Sequence, residues 1–396
     1  MNIRTMKALD HYVGIPVCLL LDCWQILRQP FRGDRPRPVR RILIMKYFGI
    51  GSILLASPML RAIKTHYPEA HLGFLTFAAN REMVSRLGLA DAIYTLRTDR
   101  LTHFARDLIQ ALCQIRREGY DATIDMEFFA KFSTIVTYLS HSPIRIGYFL
   151  RQMWRGHLLT EEIYYNHYKH ITEVFGALAA PLGVKVSDLR LTAPSLTAAE
   201  EIAAQELLTR EGVGPQELVI AFNVNVSDLS LERRWSQANF LALARALLST
   251  LRVRLLFIGS PAEAGYVDET LAHLPRDGRV INLAGKTTLA QLLGVLKRCR
   301  LLVTNDSGPL HLATALGVAT VSFFGPETPM LYGPQEKKAL VFYQGAYCSP
   351  CLNVFNVKTA PCRGQNVCMQ GISAEVVENA IRERFPELWE EYRHVH

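Results

Sequence analysis

The 396-residue sequence predicts an α/β protein of two similar halves, each a parallel sheet with helices on both faces. Three observations predict it. Short apolar runs alternate with segments of helical period. The alternation stops at a polar, proline-rich stretch, 187–194, and then restarts. The length suits two or three domains of roughly 100–200 residues each. With 49% hydrophobic residues and ordinary glycine and proline counts, disordered and collagen-like chains are excluded. Eight cysteines in so long a chain point to a reducing compartment.

The chain opens on a segment set apart by charge. Residues 1–41 carry eight basic side chains (Arg4, Lys7, Arg28, Arg32, Arg35, Arg37, Arg40 and Arg41) against Asp10, Asp22 and Asp34, a local balance of +5 out of a total of +8. Nothing resembles a basic stripe interleaved with stacking aromatics, so nucleic acid is not an expected partner. The apolar run 11–21 lies between Asp10 and Asp22. It is shorter than the roughly 20 residues of a spanning helix, and no small-residue cleavage site follows it. The expectation for residues 1–40 is an amphipathic or re-entrant membrane-associated helix, broken near Gly14-Ile15-Pro16, with Trp24 and the arginines at an anionic lipid surface. The plainer alternative is a helix packed on the first domain through Leu19, Leu20 and Ile26.

Residues 41–46 read as the first strand, followed by a glycine turn (47–52) and a helix marked by Ile53, Leu54, Met59, Leu60 and Ile63. Residues 71–77 and 92–96 read as strands. Residues 120–125 read as another, after an amphipathic segment around Phe104 to Ile115. Past 198–210, a helix, the strand candidates are 218–223, 253–259, 280–283, 301–304 and 318–324, with helices near 238–250, 288–298 and 308–316. The expected domains are 41–195 and 196–373. A last helix within 374–396 is expected to pack back toward the first domain.

At 302–317 a buried strand runs into a polar glycine turn that opens an apolar helix. That arrangement offers backbone N–H groups of Ser307 to Leu310 to a phosphate, with Pro309 in the first helical turn. Gly325-Pro-Glu-Thr328 repeats the geometry after the next strand.

Residues 304–313 together with 324–329 resemble the signature of glycosyltransferase family 9, the lipopolysaccharide heptosyltransferases and their relatives. The resemblance extends over most of 41–384. It takes in residues 44–58, Glu232-Arg-Arg-Trp235, Gly259 with Glu263, and Cys348-Ser-Pro-Cys351 leading to Cys368-Met369. It implies a GT-B fold, two Rossmann-like domains facing across a cleft, and inverting, metal-independent transfer of a sugar such as heptose. The implied donor is a nucleotide diphosphate sugar, ADP-heptose among them, and no further cofactor is required. The implied acceptor is a lipopolysaccharide or lipid-linked glycan, at the cytoplasmic face of the inner membrane.

Carried over residue by residue, the resemblance implies donor contacts from Arg233, Arg234, Glu263, Asn305, Asp306, Ser307, Gly308, Pro309, Leu310, His311, Gly325 and Glu327. It implies an acceptor-side loop of Lys46, Gly49, Gly51 and Ser52. One departure stands out. The family usually carries an aspartate after the loop glycine, the expected catalytic base, but Gly51 is followed by Ser52. Either another carboxylate has taken the role, Glu127 first and Asp125 second, or the chain is a non-catalytic binder of sugar nucleotides. A sugar-nucleotide epimerase of the same fold is a third reading. Cys18, Cys23, Cys113 and Cys299 read as small buried residues. Cys348, Cys351, Cys362 and Cys368 have the residue types for a tetrahedral zinc or iron site, a minority reading beside no metal.

Overall fold

The computed structural model describes residues 3–28, 38–227, 230–356, 362 and 365–394. The chain divides into two compact units, Met1–Thr192 and Ala193–His396.

The first unit holds six strands: β1 (Arg41–Met45), β2 (His71–Phe77), β3 (Ala92–Leu96), β4 (Ala122–Asp125), β5 (Ile144–Tyr148) and β6 (Glu161–Ile163). They form one sheet in the order β3-β2-β1-β4-β5-β6. Ile44 of β1 pairs in parallel register with Phe74 on one side and Ile124 on the other, so β1 and β4 are central and buried on both faces.

The second unit repeats the plan with β7 (Leu218–Asn223), β8 (Val253–Phe257), β9 (Val280–Asn282), β10 (Leu301–Asn305), β11 (Ala319–Phe324) and β12 (Ala339–Tyr343). The order is β12-β11-β10-β7-β8-β9. Each sheet starts at its centre, runs to one edge, then returns to the centre and runs to the other. The strand order therefore reverses between β1 and β4 and between β7 and β10, which is where doubly wound sheets bind ligands.

Periodicity marks the central strands and misses β5, β6 and β12. β6 is a three-residue edge strand with two glutamates and shows no apolar run, whereas β12, an edge strand, is apolar throughout but lies beyond the last strand candidate.

The last long helix corrects an expectation. Ala374–Arg384 packs on Gln237–Thr250 within the second unit, where Val377 and Ile381 join Leu243 and Leu247 in the core. Its apolar stripe matches that helix, so it packs within the second unit.

Two helices, α1 (Ile3–Tyr12) and α2 (Gly14–Arg28), precede β1 and belong to the first unit. No helix of the described residues is long and apolar enough to cross a membrane. Leu19, Leu20 and Ile26 are exposed, so they are not the residues that pack α2 on the first unit.

Candidate active site at two switch points

In the first unit the loops after β1 and β4 meet. Gly49, with φ of 85°, turns the chain from β1 into the short helix Ile50–Leu55, a conformation that a side chain would strain. The turn aims the amides of Tyr47 and Phe48 at the Glu127 carboxylate. Glu127 Oε1 accepts from Lys46 Nζ at 2.9 Å, the Tyr47 amide at 2.6 Å and the Phe48 amide at 3.2 Å. Lys46 and Glu127 are both buried, and Lys46 also lies 5.4 Å from the centre of the Phe128 ring. All three bonds go to one oxygen. They fix the carboxylate and leave Oε2 without a hydrogen bond among the described residues.

Asp125 supports this arrangement. Its Oδ1 accepts the Glu127 amide at 3.0 Å, and its Oδ2 accepts Ser133 Oγ at 2.7 Å and the Arg155 guanidinium at 2.6 Å. Arg155 also donates to Thr134 Oγ1 and to the Tyr148 carbonyl. Burial pushes the Asp125 carboxyl up to about 6, with Arg155 pulling the other way. Asp125 has no accessible surface. As a candidate catalytic group it is therefore corrected to a positioning residue, because a wholly enclosed carboxylate cannot meet an acceptor hydroxyl. Ser52 lies on the helix Ile50–Leu55 and offers no carboxylate.

The second switch point is built from neutral side chains. Asn223, at the end of β7, donates to Thr304 Oγ1 at 3.0 Å and Ser307 Oγ at 2.8 Å. Asn305 donates to the Val224 and Asn225 carbonyls and accepts the Trp235 amide at 2.7 Å. Trp235 is fully buried, stacked on Phe323 at 4.0 Å. That anchoring carries Arg233 to the loop after β10 and Arg234 to the loop after β7.

Arg233 donates to the Asp306 carbonyl at 3.0 Å, to Asp306 Oδ2 at 3.3 Å and to Ser227 Oγ at 3.0 Å. Its Nε is buried with no partner among the described residues. Arg234 bonds Asn225 Oδ1 at 2.7 Å and stacks over Tyr266 at 4.0 Å.

Ser307 begins the helix Gly308–Ala315. The phosphate turn is narrower than expected. Pro309 has no N–H, and the Leu310 amide returns to the Ser307 carbonyl at 3.2 Å, so the donors left to the turn are the amides of Ser307 and Gly308. The Leu310 side chain belongs to the core, and His311 and Glu327 are buried. A Cβ on Gly325 would lie 2.6 Å from Met369 Sδ and 2.8 Å from Cys368 Sγ, so this close approach requires glycine. Glu263 closes a capping box, its Oε2 accepting the Ser260 amide at 2.7 Å.

All eight cysteines are free thiols. Cys18 and Cys299 are buried as expected, but Cys23 and Cys113 are exposed on their helices. Near the C-terminus Cys362 Sγ accepts the Asn366 amide at 3.2 Å and the Cys368 thiol points at Asn366 Oδ1, 3.8 Å away. Among the described residues no group of three or more His, Cys, Asp or Glu side chains is gathered to hold a metal ion. The four sulfurs of the minority metal reading, Cys348, Cys351, Cys362 and Cys368, nonetheless lie close enough together that the Cys368 thiol, raised mainly by burial, is raised further by the other three.

Glu127, Lys46, Arg233, Arg234 and the 305–311 turn were singled out in the sequence. Arg155, Asn223, Asn225 and Tyr266 were not. Asn223 closes a strand candidate and was legible as a polar residue at a strand's carboxyl end. Arg155 follows an unrecognised strand and had no local signal.

Known proteins share this architecture. The chain is 25% identical to lipopolysaccharide heptosyltransferase 2 of Salmonella typhimurium over 76% of its length and 87% of that protein. It is 24% identical to lipooligosaccharide heptosyltransferase 2 of Campylobacter jejuni, covering 84% of this chain and 94% of that one. The solved structure of Escherichia coli ADP-heptose LPS heptosyltransferase II superposes with a TM-score of 0.69 at 20% identity, covering 88% of this chain and 99% of that one. A glycosyltransferase family 9 structure from Veillonella parvula gives a TM-score of 0.71 at 22% identity, covering 88% and 97%.

Paired six-stranded parallel sheets of this order, matching those structures, are the GT-B architecture, and the protein is a glycosyltransferase. Residues 106–359 match the family model described as glycosyltransferase family 9 (heptosyltransferase), and the chain belongs to that family.

Proposed function

We propose that the protein transfers heptose from ADP-heptose to a lipopolysaccharide acceptor in one inverting displacement without a metal ion, at the cytoplasmic face of the inner membrane. The observation that carries this reading is Arg233. One edge of its guanidinium is fixed by Asp306, while a buried N–H lacks an acceptor among the described residues, a cost of about 1–3 kcal/mol that a bound phosphate oxygen removes. Arg233, Arg234 and the amides of Ser307 and Gly308 supply the positive field that a departing diphosphate requires in place of a metal. Glu263, with one oxygen held by its cap, offers the other to the ribose hydroxyls. Asn305, Asp306, His311, Pro309, Leu310, Gly325 and Glu327 shape the loops that present these donors.

In the reaction the acceptor hydroxyl oxygen attacks the anomeric carbon. The bond from that carbon to the diphosphate breaks, and ADP leaves with the electron pair. The hydroxyl proton passes to Glu127 Oε2, the oxygen left open while Lys46, Tyr47 and Phe48 hold Oε1. Attack opposite the leaving group inverts the anomeric centre. Ser52 takes no proton, because a serine hydroxyl is no base at neutral pH.

Incubating the purified chain with ADP-heptose and heptose-deficient lipopolysaccharide tests the reading. ADP release that requires both substrates and survives EDTA is expected. A chain that binds ADP-heptose yet neither transfers nor hydrolyses it would instead be a non-catalytic binder of sugar nucleotides.

A further inference from the structure

The two faces of the N-terminal helices differ in chemistry. The inner face is polar and small. Asp10 accepts the Lys131 and Phe132 amides at 3.2 and 2.7 Å, capping the helix Lys131–Leu139 from outside it. A Cβ on Gly14 would lie 2.6 Å from Lys131 Cβ, so only glycine lets α2 come this close. Cys18 is fully buried. Asp22 accepts the His157 amide at 3.0 Å, and Gln25 donates to the His157 carbonyl at 2.8 Å while accepting from the buried Arg145 at 3.1 Å.

The outer face is apolar. Leu20 and Leu27 are each 71% exposed, and Tyr12, Val13, Trp24 and Ile26 accompany them. Both acids of these helices are taken up on the inner side. An apolar surface of this extent marks an interaction site. In sequence it is followed at once by Arg28, Arg32, Arg35 and Arg37, which suits an anionic phospholipid bilayer.

The attachment points carry the inference further. Residues 131 and 132, which hold α1, precede Ser133, and residue 157, which holds α2, lies two residues beyond Arg155. Ser133 and Arg155 are the partners of Asp125, which in turn holds the Glu127 amide.

We propose that α1 and α2 form a rigid platform that rests on an anionic phospholipid bilayer and is clamped to the loops carrying Glu127, so that a lipid-anchored acceptor is presented to that carboxylate from the surface on which the platform lies. The proposal deepens the membrane location put forward above and rests on that reading.

Flotation of the full chain with phosphatidylcholine vesicles, with and without phosphatidylglycerol, tests it. Binding to the anionic vesicles at least about tenfold above the neutral ones, weakened by salt, is expected. The double variant Leu20→Glu/Leu27→Glu should lose about tenfold or more of that binding. It should keep its thermal midpoint and its rate on a delipidated soluble acceptor, while slowing on acceptor embedded in vesicles. Wild-type indifference to phosphatidylglycerol, or unchanged vesicle binding by the variant, overturns the proposal. So does a concentration-dependent dimer abolished by the same substitutions, which assigns the face to a second copy of the chain. Vesicle binding that follows the expected pattern in a chain inert toward every donor upholds the platform and removes the transfer reading instead.

Discussion

The two switch points share one topology and opposite chemistry. At β1 and β4 the loops enclose charges, with Lys46 on Glu127 and Arg155 on Asp125, all four nearly or wholly out of solvent. At β7 and β10 the loops are tied by amides and hydroxyls from Asn223, Asn305, Thr304 and Ser307, and the one close ion pair described there, Arg233 with Asp306, keeps a donor unsatisfied. In the proposed mechanism the buried charge pair fixes a carboxylate for proton transfer. A neutral lattice fixes dipoles and leaves positive potential for an anion. The fold supplies the place, and the residues ending the strands decide between base and cradle.

The sharpest way to break this contrast is Glu127→Gln, which keeps an oxygen toward the Tyr47 and Phe48 amides and removes the base. A loss of about 10²–10⁴-fold in kcat is expected, with ADP-heptose affinity unchanged, measured where the variant is fully folded. Wild-type turnover by that variant would remove the base from the first switch point.

Asp125→Asn tests the support beneath it. Leaving Arg155 buried beside a neutral amide should cost about 3–5 kcal/mol in urea unfolding. The folded carboxyl sits at about 6, above its unfolded value, so the folded state binds more protons between those two values. This group's contribution is therefore greatest below the unfolded value and declines as pH rises toward about 6. The difference in stability between wild type and Asp125→Asn, followed across that window, should show the slope.

Arg233→Met probes the cradle. A charged hydrogen bond to phosphate is worth about 1.5–3 kcal/mol, so calorimetric ADP affinity should fall about 10–100-fold while residual transfer keeps the wild-type pH profile. The smallest effect is expected from Ser52→Asp, which returns the family's usual carboxylate to the first loop. With Glu127 as base, kcat should stay within about threefold of wild type. A large gain would show that the loop position still governs proton transfer.

Much of this was legible before any coordinates. Alternation and the two phosphate-type turns gave the paired α/β plan, because strands buried on both faces read as continuous apolar runs. The interior strand β5 and the edge strands β6 and β12 escaped, β5 because Arg145 and Gly147 interrupt its apolar residues and β6 because it is short. The 305–311 turn was legible because its elements are adjacent in the chain. Its donor count was not, because whether the Leu310 amide stays free depends on the local backbone.

By itself the sequence determined that this is a paired α/β glycosyltransferase whose first loop lacks the usual aspartate. It also determined that its excess charge is concentrated in a short leader. Only the tertiary structure decided that Lys46, Glu127, Asp125 and Arg155 form one buried network, that the last helix completes the second unit, and that α2 turns Asp22 inward and Leu20 outward. These depend on contacts between residues 30 to 135 positions apart or on which face of a helix finds a partner. Such contacts leave no periodicity behind and arise only when sheet order brings distant strand ends together.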